Sequence, residues 1–266
     1  MKPAFTLFLV ALTTVPAAAS ALLADEAAAK PSVATAAELE RAAAEVRASG
    51  GTPGPLSRGL AGRRFQFTLA PRERGPKNEI CTGYPSWGWY PEQKRFEVNL
   101  IEGVHDSRFF LDPAGGQAMP ADIPSWLELV AFSCRYTREP ERRVLNMYDE
   151  TVTYEPTRQE LVAIARPATG GGFAMGGYSV ATDEAGARRL GGIMVVRISG
   201  TIGEWARGRT IVCGADDYSA LDVPVLVGDF SGCLVKGRVD RVEYIDSATG
   251  EVRRDVRVKA KRRGAR

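Results

Sequence analysis

The chain contains a single histidine, His105, among its 266 residues. Zinc sites of the H-E-x-x-H type, and copper or iron sites built from several histidines, are therefore excluded. His105 stands in "VHDSRFF", where adjacent residues of an extended segment point in different directions and form no triad with one another. It remains a candidate base for a distant serine, and a surface histidine is the interpretation we favour.

Several enzyme signatures are also missing. Neither glycine-rich nucleotide-binding motif is present, and no serine is followed three residues later by lysine. "GYSVA", residues 177–181, approximates the G-x-S-x-G turn, but glycines precede it and the only histidine lies upstream, which favours a plain turn. A glycosidase needs only two carboxylates. Asp149 with Glu150, or Glu92 with Glu97, are candidates without distinctive spacing.

Long apolar runs are absent after the first residues. "MKPAFTLFLVALTTVPAAASALLA" has a basic start, an apolar stretch from Ala4 to Val15 and small residues after it. That stretch is shorter than the ~20 residues that span a bilayer. We interpret residues 1–21 as a secretory signal peptide, with cleavage after Ala19 or Ala21, and predict a periplasmic or secreted protein without a transmembrane segment.

Cysteine is scarce, with four residues and no C-x-x-C pair. This argues against a thioredoxin-like site and a four-cysteine zinc site. An even number of cysteines in an exported chain favours disulfides, and three connectivities are open. The pairing we predict is local in sequence, Cys81 with Cys134 and Cys213 with Cys233.

Residues 22–62 have a composition of their own. "TAAELERAAAEVRASGG" predicts a helix that begins with a capping box of Thr35 and Glu38 and ends at Gly50-Gly51. Because few large apolar residues are available to dock it, we expect a helical spacer, followed by the linker "TPGPLSRG".

Residues 63–258 consist of short alternating segments such as "RFQFTL" and "RFEVNLI", broken by Gly, Pro and Asp. They predict a mainly β fold, an antiparallel sandwich or barrel-like body. The clearest hairpin turns at "DSATG", with Gly250 in the left-handed position. A second short helix is predicted from Asp183 to Leu190, capped by Thr182. Two related halves, 63–160 and 161–258, are an alternative organisation, because each contains two cysteines with Phe-Ser just before the second one.

"EICTGYPSWGWYPEQKRFEVNL", residues 79–100, concentrates aromatic residues. In an extended segment Trp87 and Trp89 share a face, and Tyr90 lies on the other. Together the three are the candidate ligand-binding surface, with Gly88 leaving room for a ligand to approach. The alternative, which we favour, is that the tryptophans pack in the core beside a disulfide.

Acidic and basic residues are segregated. Residues 253–266 carry eight basic residues and one acidic residue in a chain of net charge +3, so the remainder is net acidic. In the tail 259–266, Lys259, Lys261, Arg262 and Arg263 are candidates for contact with an anionic surface. A solvated tail is the alternative, and nucleic acid is not an expected partner of an exported chain.

Between Cys213 and Cys233 lie four aspartates and no basic residue; they are Asp216, Asp217, Asp222 and Asp229. Calcium binding here is an option, although the EF-hand pattern is missing, and no cofactor is otherwise expected. We therefore predict an exported, non-enzymatic binding or envelope-associated module whose ligand is a glycan or an anionic surface. The alternative is a carboxylate-based hydrolase that acts on envelope glycans.

Overall fold

The computed structural model describes residues 33–74, 83–100, 103–106, 123–138, 140–145, 150–154, 157–168, 177–205, 208–219 and 227–258. The helices of this part of the chain are α1 (Ala36–Ala48), α2 (Pro55–Arg58) and α3 (Glu184–Ile193). The strands are β1 (Arg64–Leu69), β2 (Arg72–Glu73), β3 (Pro85–Tyr90), β4 (Arg95–Leu100), β5 (Gly103–Asp106), β6 (Trp126–Arg138), β7 (Arg142–Leu145), β8 (Thr151–Tyr154), β9 (Thr157–Pro167), β10 (Tyr178–Ala181), β11 (Met194–Ile202), β12 (Ile211–Ser219), β13 (Val227–Asp246) and β14 (Val252–Arg257). The predicted mainly β fold with an N-terminal helix is confirmed.

The long strand β13 organises the largest sheet. Its first half pairs with β12 in antiparallel fashion and with β9 in parallel, and its second half pairs with β11 and β14. The sheet continues from β9 through β6 to β5, and from β11 to β1. The division at 160/161 into two related halves falls inside β9, so that boundary does not correspond to a break between structural units.

A second sheet of four strands has the order β10-β4-β3-β2, and α3 connects its strand β10 to β11 of the large sheet. The predicted second helix is present as α3, but it begins one residue later and extends to Ile193. Its N-cap is Asp183 rather than Thr182, because the Asp183 carboxylate accepts a hydrogen bond from the Gly186 amide at 2.6 Å.

Two hydrophobic cores lie on opposite faces of the large sheet around β6, β9 and β13. On one face, Val130, Ile164 and Val235 join α1 and the second sheet in the main core. On the other face lies a smaller core of Ile123, Leu127, Leu129, Ala131, Leu161, Ala163, Ala165, Trp205, Val212 and Leu234. Strands buried on both faces explain near-continuous apolar runs such as "LVAIA" in β9.

Helix α1 is part of the main core, which differs from the expected spacer. Its buried residues are Leu39, Ala42, Ala43 and Val46, a stripe at helical spacing. Alanine is small, so the helix axis approaches the sheet closely and two large side chains suffice for docking. The expected linker is also ordered, because the Glu45 carboxylate accepts hydrogen bonds from the first amides of α2 at 3.4 and 3.1 Å.

The C-terminal hairpin of β13 and β14 turns as predicted. Gly250 has a positive φ of 75°, a conformation that glycine adopts without steric cost. Arg253 contacts Asp246 across the turn at 3.1 Å, and Arg241 contacts Asp255 at 2.8 Å. The described part of the basic C-terminal segment is thus an edge strand whose charges are partly paired within its own hairpin.

Candidate functional site

A cleft of about 270 Å³ lies between α1 and the α1-facing side of β6 and β9. We call it the α1 cleft. Its lining residues are Glu40, Ala43, Ala44 and Arg47 from α1, Ser133, Cys134 and Arg135 from β6, and Glu160, Leu161 and Val162 from β9. The volume is slightly below the ~300–1,000 Å³ of sites for drug-sized ligands, which suits a small ligand.

The helix contributes one wall through residues spaced three or four apart, which lie on one face of α1. Glu40 and Arg47 place charges on this wall, and Ala43 and Ala44 lie between them. Larger side chains at the alanine positions would occupy the space. The short side chains therefore keep the α1 cleft open.

A β-bulge in β6 creates the opposite wall. The pairing of β6 with β9 shifts between Ala131 and Ser133, so that Ser133 lies opposite Val162 and Arg135 opposite Glu160. An extra residue in a strand reverses which face the following side chains occupy. The bulge thus brings Ser133 and Arg135 to the side of α1 and turns the Cys134 side chain toward the smaller core, against which it packs.

The lining carries charges of both signs. Arg135 lies 3.8 Å from Glu160, and Arg158 lies 3.9 Å from the same carboxylate. Arg135 is largely exposed, so water screens these ion pairs and each contributes little to stability. Arg47 and Glu40 have no ion-pair partner among the described residues. The α1 cleft therefore offers a guanidinium and a carboxylate that have no oppositely charged partner within the described ranges.

The disulfide lies under α1. Cys213 and Cys233, which were predicted to pair, are directly opposite each other on β12 and β13 and form a disulfide. Their sulfur atoms lie 3.6 and 3.8 Å from the Ala43 carbonyl oxygen, and Arg47 Nη2 lies 3.5 Å from the Cys233 sulfur. Cys134 is also disulfide-bonded. Cys81, its predicted partner, lies outside the described residues.

The predicted aromatic surface is not an exposed indole pair. Trp87 is only 9% exposed and belongs to the main core, where its ring centre lies 5.7 Å from that of Phe96. Trp89 is half-buried against the same core. The structure thus agrees with the core-packing alternative. α3 covers the Trp87 ring, since a Cβ atom at Gly191 would lie 2.4 Å from it.

Tyr90 lies on the opposite, polar face of the second sheet. Arg74 donates a hydrogen bond to its hydroxyl at 3.3 Å, and the Arg95 guanidinium lies 5.8 Å from the centre of its ring. The ring also lies beside Gly88, at 3.7 Å from where a Cβ would be. The space predicted for a ligand at Gly88 is therefore partly occupied by Tyr90 itself.

The remaining predicted site residues have mixed placements. Asp216 and Asp217 lie on β12, and Asp217 is the register partner of Asp229 on β13. Within the described ranges, no group of three or more His, Cys, Asp and Glu residues is arranged to hold a metal ion. The predictions for Asp222 and for Lys259, Lys261, Arg262 and Arg263 concern residues that lie outside the described ranges, as does Asp149.

The lining of the α1 cleft is suited to binding polar groups. It offers two guanidiniums, two carboxylates and a hydroxyl, and it includes no histidine that would activate Ser133. His105 lies on β5, which pairs with the other end of β6. None of the helices in the described ranges has the length and apolarity needed to cross a bilayer.

No motif in the sequence indicates the residues that line the α1 cleft. Glu40 and Arg47 are unremarkable in a helix of alternating charge, and Arg135 and Glu160 belong to strands far apart in sequence. The one available signal was the spacing of Glu40, Ala43, Ala44 and Arg47, which predicts a common helix face. Only the docking of α1 shows what that face meets.

Comparison of the chain with protein-family models, with curated proteins and with solved structures yields no match in any of the three. The candidate site is therefore defined by its own geometry.

Proposed function

We propose that this chain is an exported, non-enzymatic binding module that takes an acidic sugar of an envelope glycan into the α1 cleft. The observation that supports this most directly is the placement of Arg47, which lines the cleft without a carboxylate partner among the described residues. A guanidinium binds a carboxylate through two parallel hydrogen bonds. Ser133 and the two glutamates supply partners for sugar hydroxyls.

Size also favours a small saccharide unit. The α1 cleft is partly open to solvent, and its volume of about 270 Å³ has room for the end of a glycan, with the rest of the glycan outside. Net affinity for one such unit is expected to be modest, since much of the gain offsets the entropy lost on binding. Modules of this kind gain strength by binding repeated units on a surface.

The test is to fill the α1 cleft without disturbing the fold. Ala44→Leu places a bulky, helix-compatible side chain in the cleft, and Ala37→Leu makes the same change at an exposed α1 position outside it. Calorimetric titration with uronate-containing oligosaccharides should show binding by the wild type and by Ala37→Leu. Ala44→Leu and Arg47→Gln should each bind at least ~10-fold more weakly.

Two results would overturn the proposal. One is equal binding of acidic and neutral oligosaccharides by the wild type, or binding of neither. The other is unchanged affinity in Ala44→Leu, which would place the binding site elsewhere on the protein.

The basic tail is proposed as a separate contact with anionic surfaces, through Lys259, Lys261, Arg262 and Arg263. Because β14 ends at Arg257, deletion of residues 259–266 leaves the strand intact. The deletion should reduce sedimentation with anionic liposomes at low salt, and the difference should vanish at high salt, where charges are screened beyond ~3–8 Å. Equal sedimentation of the two proteins at low salt would remove the tail from the proposal.

A carboxylate-based hydrolase is the second candidate, because Glu40 and Glu160 both line the α1 cleft. Hydrolysis of a glycan needs one carboxyl group as acid and a second as base or nucleophile. The wild type would then release reducing ends from an envelope polysaccharide, and Glu40→Gln and Glu160→Gln would each abolish the release. Binding without product in the wild type would leave the binding module as the better description.

A further inference from the structure

We infer that the Cys213–Cys233 disulfide is a thiol-exchange site at which an external dithiol attacks the Cys213 sulfur and Cys233 leaves, which loosens the packing of the middle of α1 on the sheet. This inference is independent of any ligand in the α1 cleft. It rests on the unequal surroundings of the two sulfur atoms and on the position of α1 over them.

The two cysteines differ in access. Cys233 is fully buried, whereas Cys213 is partly exposed at the border of the main core. The pair is directly opposite across β12 and β13, with a Cα–Cα distance of 4.1 Å. Exchange requires an incoming thiolate to reach one sulfur, and access helps to decide which. Because Cys213 is the less buried residue of the pair, we assign its sulfur as the point of attack.

The two cysteines also differ in electrostatics. Arg47 Nη2 lies 3.5 Å from the Cys233 sulfur. A cation beside a sulfur stabilises the thiolate, and a more stable thiolate leaves faster in exchange. Arg47 therefore favours departure of Cys233, the same outcome that access favours.

The reaction proceeds in two balanced steps. A thiolate of the dithiol forms a bond to the Cys213 sulfur, the bond between the two cysteines breaks, and its electron pair stays on Cys233 as a thiolate beside Arg47. The second thiolate of the reductant then attacks the reductant sulfur that is bonded to Cys213, which closes the disulfide of the reductant and releases the Cys213 thiolate. The reductant is oxidised by two electrons to its disulfide, and its two protons end on the cysteines.

Reduction has a consequence for α1 because the helix rests on the disulfide. The Ala43 carbonyl oxygen lies 3.6 Å from one sulfur and 3.8 Å from the other, and Ala43 and Arg47 both line the α1 cleft. When the bond is broken, the two sulfurs separate to van der Waals contact. The surface under the middle of α1 then changes, and with it one wall of the α1 cleft.

The first experiment locates the attack in the oxidised wild-type chain. The protein is treated with glutathione, free thiols are trapped with N-ethylmaleimide, and each adduct is assigned from fragment spectra. Fragmentation is needed because Arg209 and Lys236 bracket both cysteines in one tryptic peptide. We expect glutathione on Cys213 and the maleimide on Cys233. Glutathione on Cys233, or equally on both, would overturn the assignment.

The second experiment tests Arg47. Reduction of this disulfide by dithiothreitol should be roughly threefold slower in Arg47→Gln, because the Cys233 thiolate that leaves is no longer stabilised by a neighbouring cation. Arg47→Lys retains the charge and should stay close to the wild type. Arg41→Gln, at an exposed position of the same helix, should have no effect. An Arg47→Gln rate equal to that of the wild type would contradict the role of Arg47.

The third experiment tests the effect on α1. Amide hydrogen exchange in residues 39–48 should be faster in the Cys213→Ala, Cys233→Ala variant, whose fold is checked by circular dichroism. The same comparison is made on the wild type before and after reduction, which avoids reliance on the variant. Unchanged exchange in α1 in both comparisons would show that its docking does not depend on the disulfide.

Discussion

The Arg63 guanidinium binds both carboxylate oxygens of Glu38, at 2.5 and 3.2 Å. Glu38 lies in the first turn of α1, and Arg63 immediately precedes β1. Ala34, just before the helix, also forms a parallel bridge with Phe65 of β1. The start of α1 is thus fixed to the large sheet by an ion pair as well as by its buried stripe, and this anchoring positions the wall of the α1 cleft.

This ion pair predicts a specific dependence of stability on pH. The hydrogen bond from Arg63 lowers the pKa of Glu38 below its ordinary 4.5, against an opposing effect of burial. A lowered folded-state pKa stabilises the fold above the unfolded-state value, and the contribution is lost as the pH falls through the folded-state value. Glu38→Gln should cost about 1 kcal/mol of unfolding free energy at neutral pH, and less below pH 4.5.

Urea unfolding of the wild type and Glu38→Gln at a series of pH values measures this difference. Glu40→Gln is the matched control, because Glu40 is an exposed residue of the same helix without an ion-pair partner in the described part of the chain. It should have little effect at any pH. If the difference in unfolding free energy between the wild type and Glu38→Gln stays constant from pH 7 to pH 3, the carboxylate charge is not what stabilises this contact.

Two adjacent glycines of α3 provide a second prediction. A Cβ at Gly191 would lie 2.4 Å from the Trp87 ring, whereas one at Gly192 would meet no atom within 4 Å. Gly191→Ala should therefore destabilise the protein by about 1–3 kcal/mol through overpacking. Gly192→Ala should be neutral or stabilising by up to ~1 kcal/mol, because alanine favours the helix.

Thermal unfolding of the two variants in parallel makes the comparison. The intrinsic helix propensity changes in the same way in both, so the difference between them isolates contact with Trp87. Equal melting temperatures would mean that α3 does not lie against the indole as described.

Local patterns in the sequence were sufficient for most of the fold. "RFQFTL" alternates strictly, and β1 buries Phe65, Phe67 and Leu69 as that alternation predicts. The capping residues of α1 fixed its start, and the Gly-containing turn fixed the last hairpin. In each case the information lies within a few neighbouring residues, which is where side-chain period and turn chemistry act.

The candidate site was not predictable because it depends on contacts between distant segments. The bulge in β6 is what places Ser133 and Arg135 opposite α1, and "LELVAFSCRY" contains no glycine or proline that would indicate it. The docking of α1 was missed since burial of Ala42 and Ala43 contributes little to hydrophobicity scales. Likewise, the strand alternation that places Trp87 and Trp89 on one face could not show that α3 covers Trp87.

A third prediction concerns the ion pair of Glu128 and Arg166. These residues are register partners on β6 and β9, and Arg166 Nε lies 2.6 Å from the carboxylate of Glu128, which is fully buried. Removing one member of a buried pair takes away its attraction to the other charge, which costs about 3–5 kcal/mol. Arg166→Met should therefore destabilise strongly. The double variant Glu128→Leu, Arg166→Met should recover part of that loss.

Chemical denaturation of the wild type, both single variants and the double variant gives the coupling energy of the pair. Strictly additive effects of the two substitutions would show that the carboxylate and the guanidinium do not stabilise each other.

The last prediction follows from a cation placed over an indole. Lys236 Nζ lies 4.0 Å from the centre of the Trp205 ring, and burial lowers the pKa of this lysine below its ordinary 10.5. The charged form is thus disfavoured in the folded protein, although the ring attracts the cation and offsets part of the cost. Between the lowered folded-state value and 10.5, the unfolded chain binds more protons than the folded one, so stability rises with pH.

Lys236→Met keeps an unbranched apolar side chain of similar length and cannot titrate. The unfolding free energy of the wild type should therefore increase relative to Lys236→Met as the pH is raised toward 10.5. Lys236→Arg stays charged over the whole range and should show no such increase relative to Lys236→Met. If the unfolding free energy of the wild type varies with pH in parallel with that of Lys236→Arg, Lys236 remains protonated in the folded protein over the whole range. Solvent would then reach its amine despite the contact with Trp205.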